Sequence, residues 1–288
     1  MTLRWRFGPP RTVFITGGNS GIGRDMALRL AHEGANIVIF NRGGAPEVAA
    51  ELRAAATRPE QRVASYAADV SLAASIAQAI ERAVAEIGAP DLAIHSAGVI
   101  HALPFAATAA EDFERVIAIN LIGSRHFAAA VLPHMPRQSH LVFIASLAAL
   151  TGNYAYTAYC ASKFGVRGLA EALRYELKQE DIDVSLCCPG EIMTPMVEAE
   201  KRQQHPVSAA LKAFAGSSTV ERSVPAMLRG IARRDFEIID APRPRLTAFM
   251  ARHTPRLARA VGDAIAARAA RRMSKHTHPV AQPPEKLP

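Results

Sequence analysis

Short apolar runs, rich in β-branched residues, alternate along the chain with longer Ala-rich segments of helical periodicity. The apolar runs predict seven strands, at Val13–Thr16, Asn36–Phe40, Arg62–Ala67, Leu92–His95, His140–Ser146, Asp183–Cys188 and Phe236–Asp240. The segments between them predict helices at Gly21–Glu33, Pro46–Ala56, Leu72–Ile87, Glu111–Leu132, Tyr156–Lys178 and Val220–Ala232. Strands that are apolar on both faces and separated by helices are typical of a covered parallel sheet. We therefore expect a doubly wound α/β fold with a parallel sheet of about seven strands.

Two segments depart from this alternation. Residues 194–219 form a polar, helical excursion between the sixth and seventh predicted strands, which is long enough to be a lid. Beyond Asp240 the composition changes abruptly, so we expect a single catalytic domain at 1–240 and a helical tail at 241–288. Pro255 predicts a break between two short helices in the tail, and the proline-rich end predicts disorder from about residue 276.

The net positive charge of the chain comes from the tail. Residues 241–288 contain ten Lys/Arg and two Asp/Glu and so account for the whole formal net charge of +8. Residues 1–240 contain 24 Lys/Arg and 24 Asp/Glu, so their net charge is zero. A neutral catalytic domain has no electrostatic preference for nucleic acid, and the tail lacks stacking aromatic residues beyond Phe249, so no nucleic-acid partner is expected. Apolar residues at helical spacing make the tail a candidate for peripheral contact with an anionic membrane through 241–275. Packing on its own domain, a subunit contact and a solvated arm remain alternatives.

Cysteine content and the chain's start bear on its compartment. The three cysteines, Cys160, Cys187 and Cys188, form no disulfide framework, which favours a reducing compartment. The N-terminus has no apolar core of a signal peptide, and no run of about 18 apolar residues predicts a membrane span. No histidines pair at metal-ligand spacing on one helix, so no metal site is expected. The sequence thus predicts a soluble, cytoplasmic protein.

A glycine-rich stretch, Thr16–Gly23, joins the first predicted strand to the first predicted helix. Its glycines at 17, 21 and 23 permit a tight turn and let backbone amides approach a diphosphate at the helix N-terminus. The spacing Gly-x-x-x-Gly-x-Gly differs from the usual Gly-x-Gly-x-x-Gly motif. The stretch predicts a dinucleotide site, with a ligand-free glycine turn as the alternative.

The end of the second predicted strand bears on the choice of coenzyme. NAD-selective folds usually place a carboxylate there for the ribose 2′-hydroxyl, whereas this chain has Asn41 followed by Arg42. A guanidinium binds a 2′-phosphate through charge-assisted hydrogen bonds. We therefore predict NADPH (NADP+) over NADH, with an exposed loop arginine as the alternative.

Tyr159 and Lys163 lie four residues apart at the start of a predicted helix, which places phenol and ammonium on one helical face. A free phenol has a pKa of about 10, and a cation within about 4–6 Å lowers that pKa by about 1–3 units. Such a Tyr159 would serve as a general acid–base near neutral pH. The same pair also arises by chance on amphipathic helices.

Two further polar residues belong to this candidate site. Ser146 ends the fifth predicted strand, where its hydroxyl could bond a substrate carbonyl and the Tyr159 phenol, or merely cap the following loop. Asn120 interrupts an apolar helical stretch, so its amide needs a partner if it is buried. A helix-bending role, a water-binding role and a satisfied core amide are all open for Asn120.

Over residues 11–240 these motifs resemble the short-chain dehydrogenase/reductase family, which implies a Rossmann-type fold and carbonyl reduction with NAD(P). The resemblance implies Tyr159 as proton donor and Ser146 as the hydroxyl that polarises the carbonyl. It implies Lys163 as the ribose-binding residue that lowers the tyrosine pKa, and Asn120 as the holder of a proton-relay water. Asp69 would meet the adenine amino group and Thr194 the nicotinamide carboxamide. The implied coenzyme-binding positions are Gly17, Asn19, Ser20, Gly21, Ile22, Gly23, Arg42, Asp69, Val70, Ala97, Gly98, Tyr159, Lys163, Pro189, Gly190, Ile192 and Thr194.

Within this family the sequence is most similar to the 3-ketodihydrosphingosine (3-ketosphinganine) reductase branch, through residues 157–173 and 194–201. This resemblance implies a long-chain lipid ketone as substrate, and family analogy implies a homodimer or homotetramer. Two departures stand out, because Ser96 replaces the family's usual Asn and Pro189-Gly190 replaces the branch's Pro-Pro. A generic member of the family acting on another small or apolar alcohol or ketone, and a non-catalytic dinucleotide-binding sensor, remain alternatives.

Overall fold

The computed structural model describes residues 3–276 of the chain. Within these residues there are nine strands: β1 Thr12–Thr16, β2 Asn36–Asn41, β3 Val63–Ala67, β4 Leu92–His95, β5 His140–Ile144, β6 Asp183–Cys187, β7 Glu191–Met193, β8 Ser217–Thr219 and β9 Glu237–Ile238. Seven of them form one parallel sheet in the order β3-β2-β1-β4-β5-β6-β9. The predicted doubly wound fold is confirmed, and each predicted strand is present, the last one shortened to two residues.

The helices of the described residues include those predicted, at closely matching bounds, and others in the excursion and the tail. They are α1 Gly21–His32, α2 Pro46–Ala54, α3 Ala73–Ile87, α4 Ala110–Ile117, α5 Gly123–Val131, α6 Thr157–Glu176, α7 Pro195–Lys201, α8 Pro206–Ala215, α9 Val220–Arg233, α10 Pro242–His253 and α11 Pro255–His276. A π-helical turn, Ala118–Ile122, joins α4 to α5, so the segment predicted as one helix carries a local widening around Asn120.

Alternate side chains of each strand supply two cores. Phe14, Val38 and Phe143 face α3, α5 and α6, whereas Val13 and Ile15 face α1, α2 and α9. All five are completely buried. Burial on both faces explains why the strands are continuously apolar, as the sequence pattern predicts.

The helical segment 110–134 has the length and mean hydropathy, 1.4, of a membrane span, and it is the one such helix among residues 3–276. In the fold its buried side chains, including Phe127 and Val131, pack in the core beneath the sheet. A core helix meets the same criteria as a membrane span, so the segment is weak evidence for crossing a membrane.

The strand order reverses between β1 and β4, and crevices at such points receive ligands in open α/β sheets. The glycine stretch after β1 and the residues Ser96–Gly98 after β4 therefore share one crevice.

The excursion predicted as helical contains α7 and α8 but also β8, which pairs in parallel with β7. This small sheet joins the two ends of the excursion beside the crevice.

The tail forms the two helices α10 and α11, and the second begins at Pro255, where a break is predicted. The helix α11 is much longer than the short helix expected. Along α11 the half-buried positions are Ala258, Val261, Gly262, Ile265, Ala266 and Ala269. Their spacing of three and four residues defines one face, and α11 packs against α8 and α10. The described part of the tail thus packs on its own domain along one face. The disorder expected from about residue 276 falls outside the described residues.

Candidate active site

The glycine stretch forms a tightly packed turn at the N-terminus of α1. Gly17 has a φ of +65°, and a Cβ there would lie 2.9 Å from the Ala97 backbone. A Cβ on Gly23 would lie 2.4 Å from the Gly17 carbonyl oxygen, and one on Gly18 would lie 2.4 Å from Ile39 Cγ2. Gly18 therefore packs in the same glycine cradle, residues 16–23, although it is not one of the motif glycines at 17, 21 and 23. Glycine is required here because only its backbone can approach its neighbours, and a ligand, this closely.

Several features of this crevice fit a dinucleotide. Ser20 occupies the N-cap of α1, but its side chain makes no capping hydrogen bond, so it does not satisfy the first amides of the helix. The Asn41 side chain is buried with neither amide atom hydrogen-bonded, and it lines the crevice. A buried amide without a partner is costly, which favours a polar ligand at this position.

Asp69 and Arg42 lie at the same end of the crevice. The Ser71 hydroxyl and backbone N–H donate to Asp69 Oδ1 at 2.6 and 2.9 Å. These bonds, with the charge of Arg42, hold the pKa of the Asp69 carboxyl below its usual value against the effect of burial. Asp69 is therefore ionised at neutral pH, and the exposed Arg42 lies close enough to influence it.

Asn120 organises the floor of the crevice through three hydrogen bonds. Its Oδ1 accepts from the Val99 N–H at 2.8 Å, and its Nδ2 donates to the Val99 carbonyl and the Ser162 hydroxyl, both at 3.0 Å. The Ser162 hydroxyl in turn donates to the Tyr159 carbonyl at 2.7 Å. Asn120 thereby joins the loop after β4 to α6. Its side-chain amide is thus satisfied within the protein, and a water-binding role for this residue stays a prediction.

The Tyr159 phenol meets the Ser146 hydroxyl. Burial raises the pKa of Tyr159 to about 12, and the hydrogen bond from Ser146 opposes that rise. The Ser146 hydroxyl also accepts from the Ala148 N–H at 3.1 Å. Ser146 thus caps its loop and contacts the phenol at once, combining the two alternatives for this residue.

Lys163 lies close to the Tyr159 ring. Its Nζ is buried, donates to the Ile144 carbonyl at 3.1 Å and lies 5.6 Å from the centre of the Tyr159 ring. Burial lowers the pKa of Lys163 to about 8. The net pKa of Tyr159 is raised because burial of the phenol prevails, and the lowering of that pKa by Lys163 stays a prediction.

A second lysine, Lys212, lies near the tyrosine pair. Lys212, on α8, donates to the Tyr156 hydroxyl at 3.0 Å and to Glu200 Oε2 at 2.7 Å, and it also pairs with Glu191. The Tyr156 and Tyr159 rings lie edge to face, 6.0 Å apart. The Lys212 charge is among the influences that lower the pKa of Tyr159. No sequence spacing indicates Lys212, since its partners come from three other elements.

The loop after β6 closes the far side of the crevice. The Pro189 carbonyl accepts from the Leu147 N–H at 2.7 Å, and the Gly190 N–H donates to Asp240 Oδ1 at 3.2 Å. Thr194 caps α7 through a bond from the Val197 N–H, and a Cβ on Gly21 would lie 3.1 Å from Thr194 Cγ2.

One cavity of about 740 Å³ joins these groups. Of the predicted site residues, 17 line it: Gly17, Asn19, Ser20, Gly21, Ile22, Arg42, Asp69, Val70, Ala97, Gly98, Ser146, Tyr159, Lys163, Pro189, Gly190, Ile192 and Thr194. Gly23 and Asn120 do not line the cavity. Gly23 packs against the glycine turn, and Asn120 supports the cavity from behind.

Comparison with known proteins decides the family. The sequence profile of the short chain dehydrogenase family matches residues 11–205, which is more than half of the chain. This chain is a short-chain dehydrogenase. As a member of that family, the dehydrogenase is an NAD(P)-dependent oxidoreductase.

Similar proteins include lipid-ketone reductases. The dehydrogenase is 36% identical to 3-dehydrosphinganine reductase TSC10A of Arabidopsis thaliana over 79% of its own length and 70% of the relative's. It is 33% identical to 3-ketodihydrosphingosine reductase of Bos taurus over 70% and 62%, respectively. A short chain dehydrogenase/reductase from Burkholderia phymatum, solved in complex with NAD, matches 83% of the chain and 92% of its own, with a TM-score of 0.71 and 25% identity. The similarity to the sphingoid-base reductases that the sequence motifs indicate is confirmed.

Proposed function

We propose that this dehydrogenase uses NADPH to reduce a ketone on a long alkyl chain, with 3-ketosphinganine as the leading candidate. The observation that carries the proposal is the Tyr159–Ser146 hydroxyl pair within a cavity whose outer part is mainly apolar. The relatives named as sphingoid-base reductases support the choice of substrate.

In this proposal Tyr159 is the general acid. With a pKa raised to about 12, the phenol keeps its proton at neutral pH. A reduced nicotinamide, when bound, supplies the hydride to the carbonyl carbon. Tyr159 then transfers its hydroxyl proton to the carbonyl oxygen as negative charge develops there, and Ser146 donates a hydrogen bond to the same oxygen.

Lys163 and the glycine cradle hold the coenzyme. Lys163 is buried in the crevice, and we assign it to the nicotinamide ribose, as the family resemblance implies. The α1 amides and the glycine turn would receive the diphosphate, and Asp69 the adenine.

Arg42 is the basis for choosing NADPH. The end of β2 offers Asn41 and Arg42 rather than a carboxylate, so a 2′-phosphate meets a guanidinium and no repelling charge from this strand. We expect Arg42→Ala to raise the KM for NADPH by about tenfold or more and to leave that for NADH nearly unchanged. An equal rise for both coenzymes would refute the assignment.

The deciding experiment is NADPH oxidation with a panel of ketones that includes 3-ketosphinganine and short methyl ketones. Tyr159→Phe removes the proton donor but keeps the ring, so we expect a loss of about 10²–10⁴ in kcat with coenzyme affinity retained. If only the short ketones are turned over, the proposal of a lipid substrate is wrong and the enzyme acts on generic small ketones. Coenzyme binding without turnover of any ketone would favour a dinucleotide-binding sensor.

A further inference from the structure

The outer end of the cavity is built by residues that follow the family-matched region. Its walls there come from α8, α10 and α11, at Leu211, Phe214, Ala215, Thr247, Met250, Ala258, Val261, Gly262 and Ile265. All of these lie beyond residue 205, where the family match ends. Two polar groups accompany these side chains, the Thr247 hydroxyl and the Lys212 ammonium of α8, and Lys212 is already paired with Glu191 and Glu200. The rest of this lining is apolar and favours methylene groups.

The inward face of α11 is shaped to leave room. Ala258, Val261, Gly262 and Ile265 line the cavity while remaining only half-buried. A Cβ on Gly262 would meet no atom within 4 Å, in contrast to the tightly packed Gly17 and Gly23 at the coenzyme end. Open space therefore lies beside α11 at the one glycine of this face.

This wall is held in place by contacts with the catalytic domain. Arg252 of α10 donates to both Glu237 carboxylate oxygens at 2.6 and 2.8 Å, and Arg167 of α6 donates to the same carboxylate at 2.7 Å. A Cβ on Gly190 would lie 2.7 Å from Pro244 Cγ, so the start of α10 packs directly on the loop after β6. The tail is thus joined both to the helix that bears Tyr159 and to the crevice loop.

We propose that α8, α10 and α11 form a binding site for the alkyl chain of the substrate, with the open space at Gly262 setting the chain length accepted. The proposal rests on the proposed function for the reacting end of the substrate. Each methylene buried in such a site contributes about a three- to fourfold gain in affinity. The specificity for a long chain therefore comes from the excursion and the tail rather than from the family-matched region.

The test compares Gly262→Phe with Ala264→Phe, which adds the same side chain at an exposed position of the same helix. The substrates are ketones of increasing chain length. For the wild type and Ala264→Phe, kcat/KM rises about three- to fourfold per methylene up to a limit. For Gly262→Phe the rise stops at a shorter chain, while kcat/KM for the shortest ketone stays within about twofold of the wild type. Identical chain-length profiles for the two variants would overturn the proposal.

A binding measurement separates this proposal from the function itself. The probe is a dansylated undecyl amine, followed by fluorescence on the NADPH-bound protein. We expect Gly262→Phe to weaken probe binding at least tenfold and Ala264→Phe to leave it unchanged. Weaker probe binding by Gly262→Phe, in an enzyme that turns over no ketone, would reject the proposed reaction but support the alkyl site. Equal probe affinities of Gly262→Phe and Ala264→Phe would reject the alkyl site. Ile265→Trp fills the same space from the next turn and serves if Gly262→Phe does not fold.

Discussion

At Tyr159 opposing influences set how readily the phenol releases its proton. Burial raises its pKa to about 12, and the hydrogen bond from Ser146 and the charge of Lys212 lower it. Lys212 belongs to the excursion rather than to the catalytic helix, and two carboxylates, Glu191 and Glu200, hold it. The electrostatics of the phenol therefore depend on how α8 packs over the crevice.

Replacing Lys212 with Met tests this dependence through the pH profile of alcohol oxidation. In the proposed mechanism, alcohol oxidation needs the Tyr159 phenolate, so its rate rises with pH toward the pKa of that residue. Loss of the cation raises that pKa, so we expect the rising limb of the profile to shift to higher pH. Lys201→Met is the matched control, because Lys201 also pairs with Glu191 at 3.0 Å but is not among the groups that act on Tyr159. A shift of the same size in both variants would contradict the role of Lys212.

Among the elements, α10 depends on a shared carboxylate. Burial raises the pKa of Glu237, but the hydrogen bonds and charges of Arg252 and Arg167 outweigh burial and hold it below its usual value. A carboxyl whose pKa is lower in the folded state stabilises the fold above its unfolded pKa of about 4.3. That stabilisation disappears as pH falls through the folded-state value.

Glu237→Gln should accordingly lower the free energy of unfolding by about 1–2 kcal/mol at pH 7. The difference from the wild type should shrink as pH falls below about 4, as followed by urea unfolding. Glu171→Gln is the control, since Glu171 pairs with the same Arg167 at 2.9 Å from an exposed position. We expect a loss of less than about 1 kcal/mol for that variant. A Glu237→Gln effect that is constant across this pH range would point to packing rather than charge.

The elements also mark where sequence patterns stop being informative. The strands at 12–16 and 140–144 are predictable because their burial on both faces leaves a local apolar signature. The pairing of β7 with β8 is not predictable, since the paired residues of these three-residue strands lie 26 positions apart and gain their bonds only from the folded excursion. The same holds for Lys212, whose partners no helical spacing connects. The motifs after β1, β4 and β5 were predictable because chemistry constrains their residue types as well as their positions.

For the whole molecule, the outer face of the tail combines charge with exposed apolar side chains. Leu246, Phe249 and Leu257 are all more than half exposed, and Arg256, Arg259 and Arg268 are exposed near them in the sequence. Packing of the inner face on α8 leaves this outer face available, so contact with an anionic membrane stays a prediction of the charge pattern. A homodimer or homotetramer likewise stays a prediction.

Co-sedimentation with vesicles tests the membrane contact. We expect the wild type to bind vesicles containing phosphatidylserine more strongly than phosphatidylcholine vesicles, and added salt to weaken the binding. A Phe249→Ser, Leu257→Ser double variant should lose several-fold in partitioning without change in the reduction of a short ketone. Equal partitioning of the two proteins into both kinds of vesicle would exclude this face as a membrane contact.

The small side chains of α11 have a consequence for how such an enzyme diversifies. In the proposed alkyl site, the α11 wall of Ala258, Val261, Gly262 and Ile265 can be enlarged or filled one side chain at a time, while the proposed proton donor and the coenzyme cradle stay untouched. Selection, or a protein engineer, can thereby retune which molecules are accepted at little cost to reactivity. Libraries randomised at 258, 261, 262 and 265 are therefore a direct route to new substrate ranges on this scaffold.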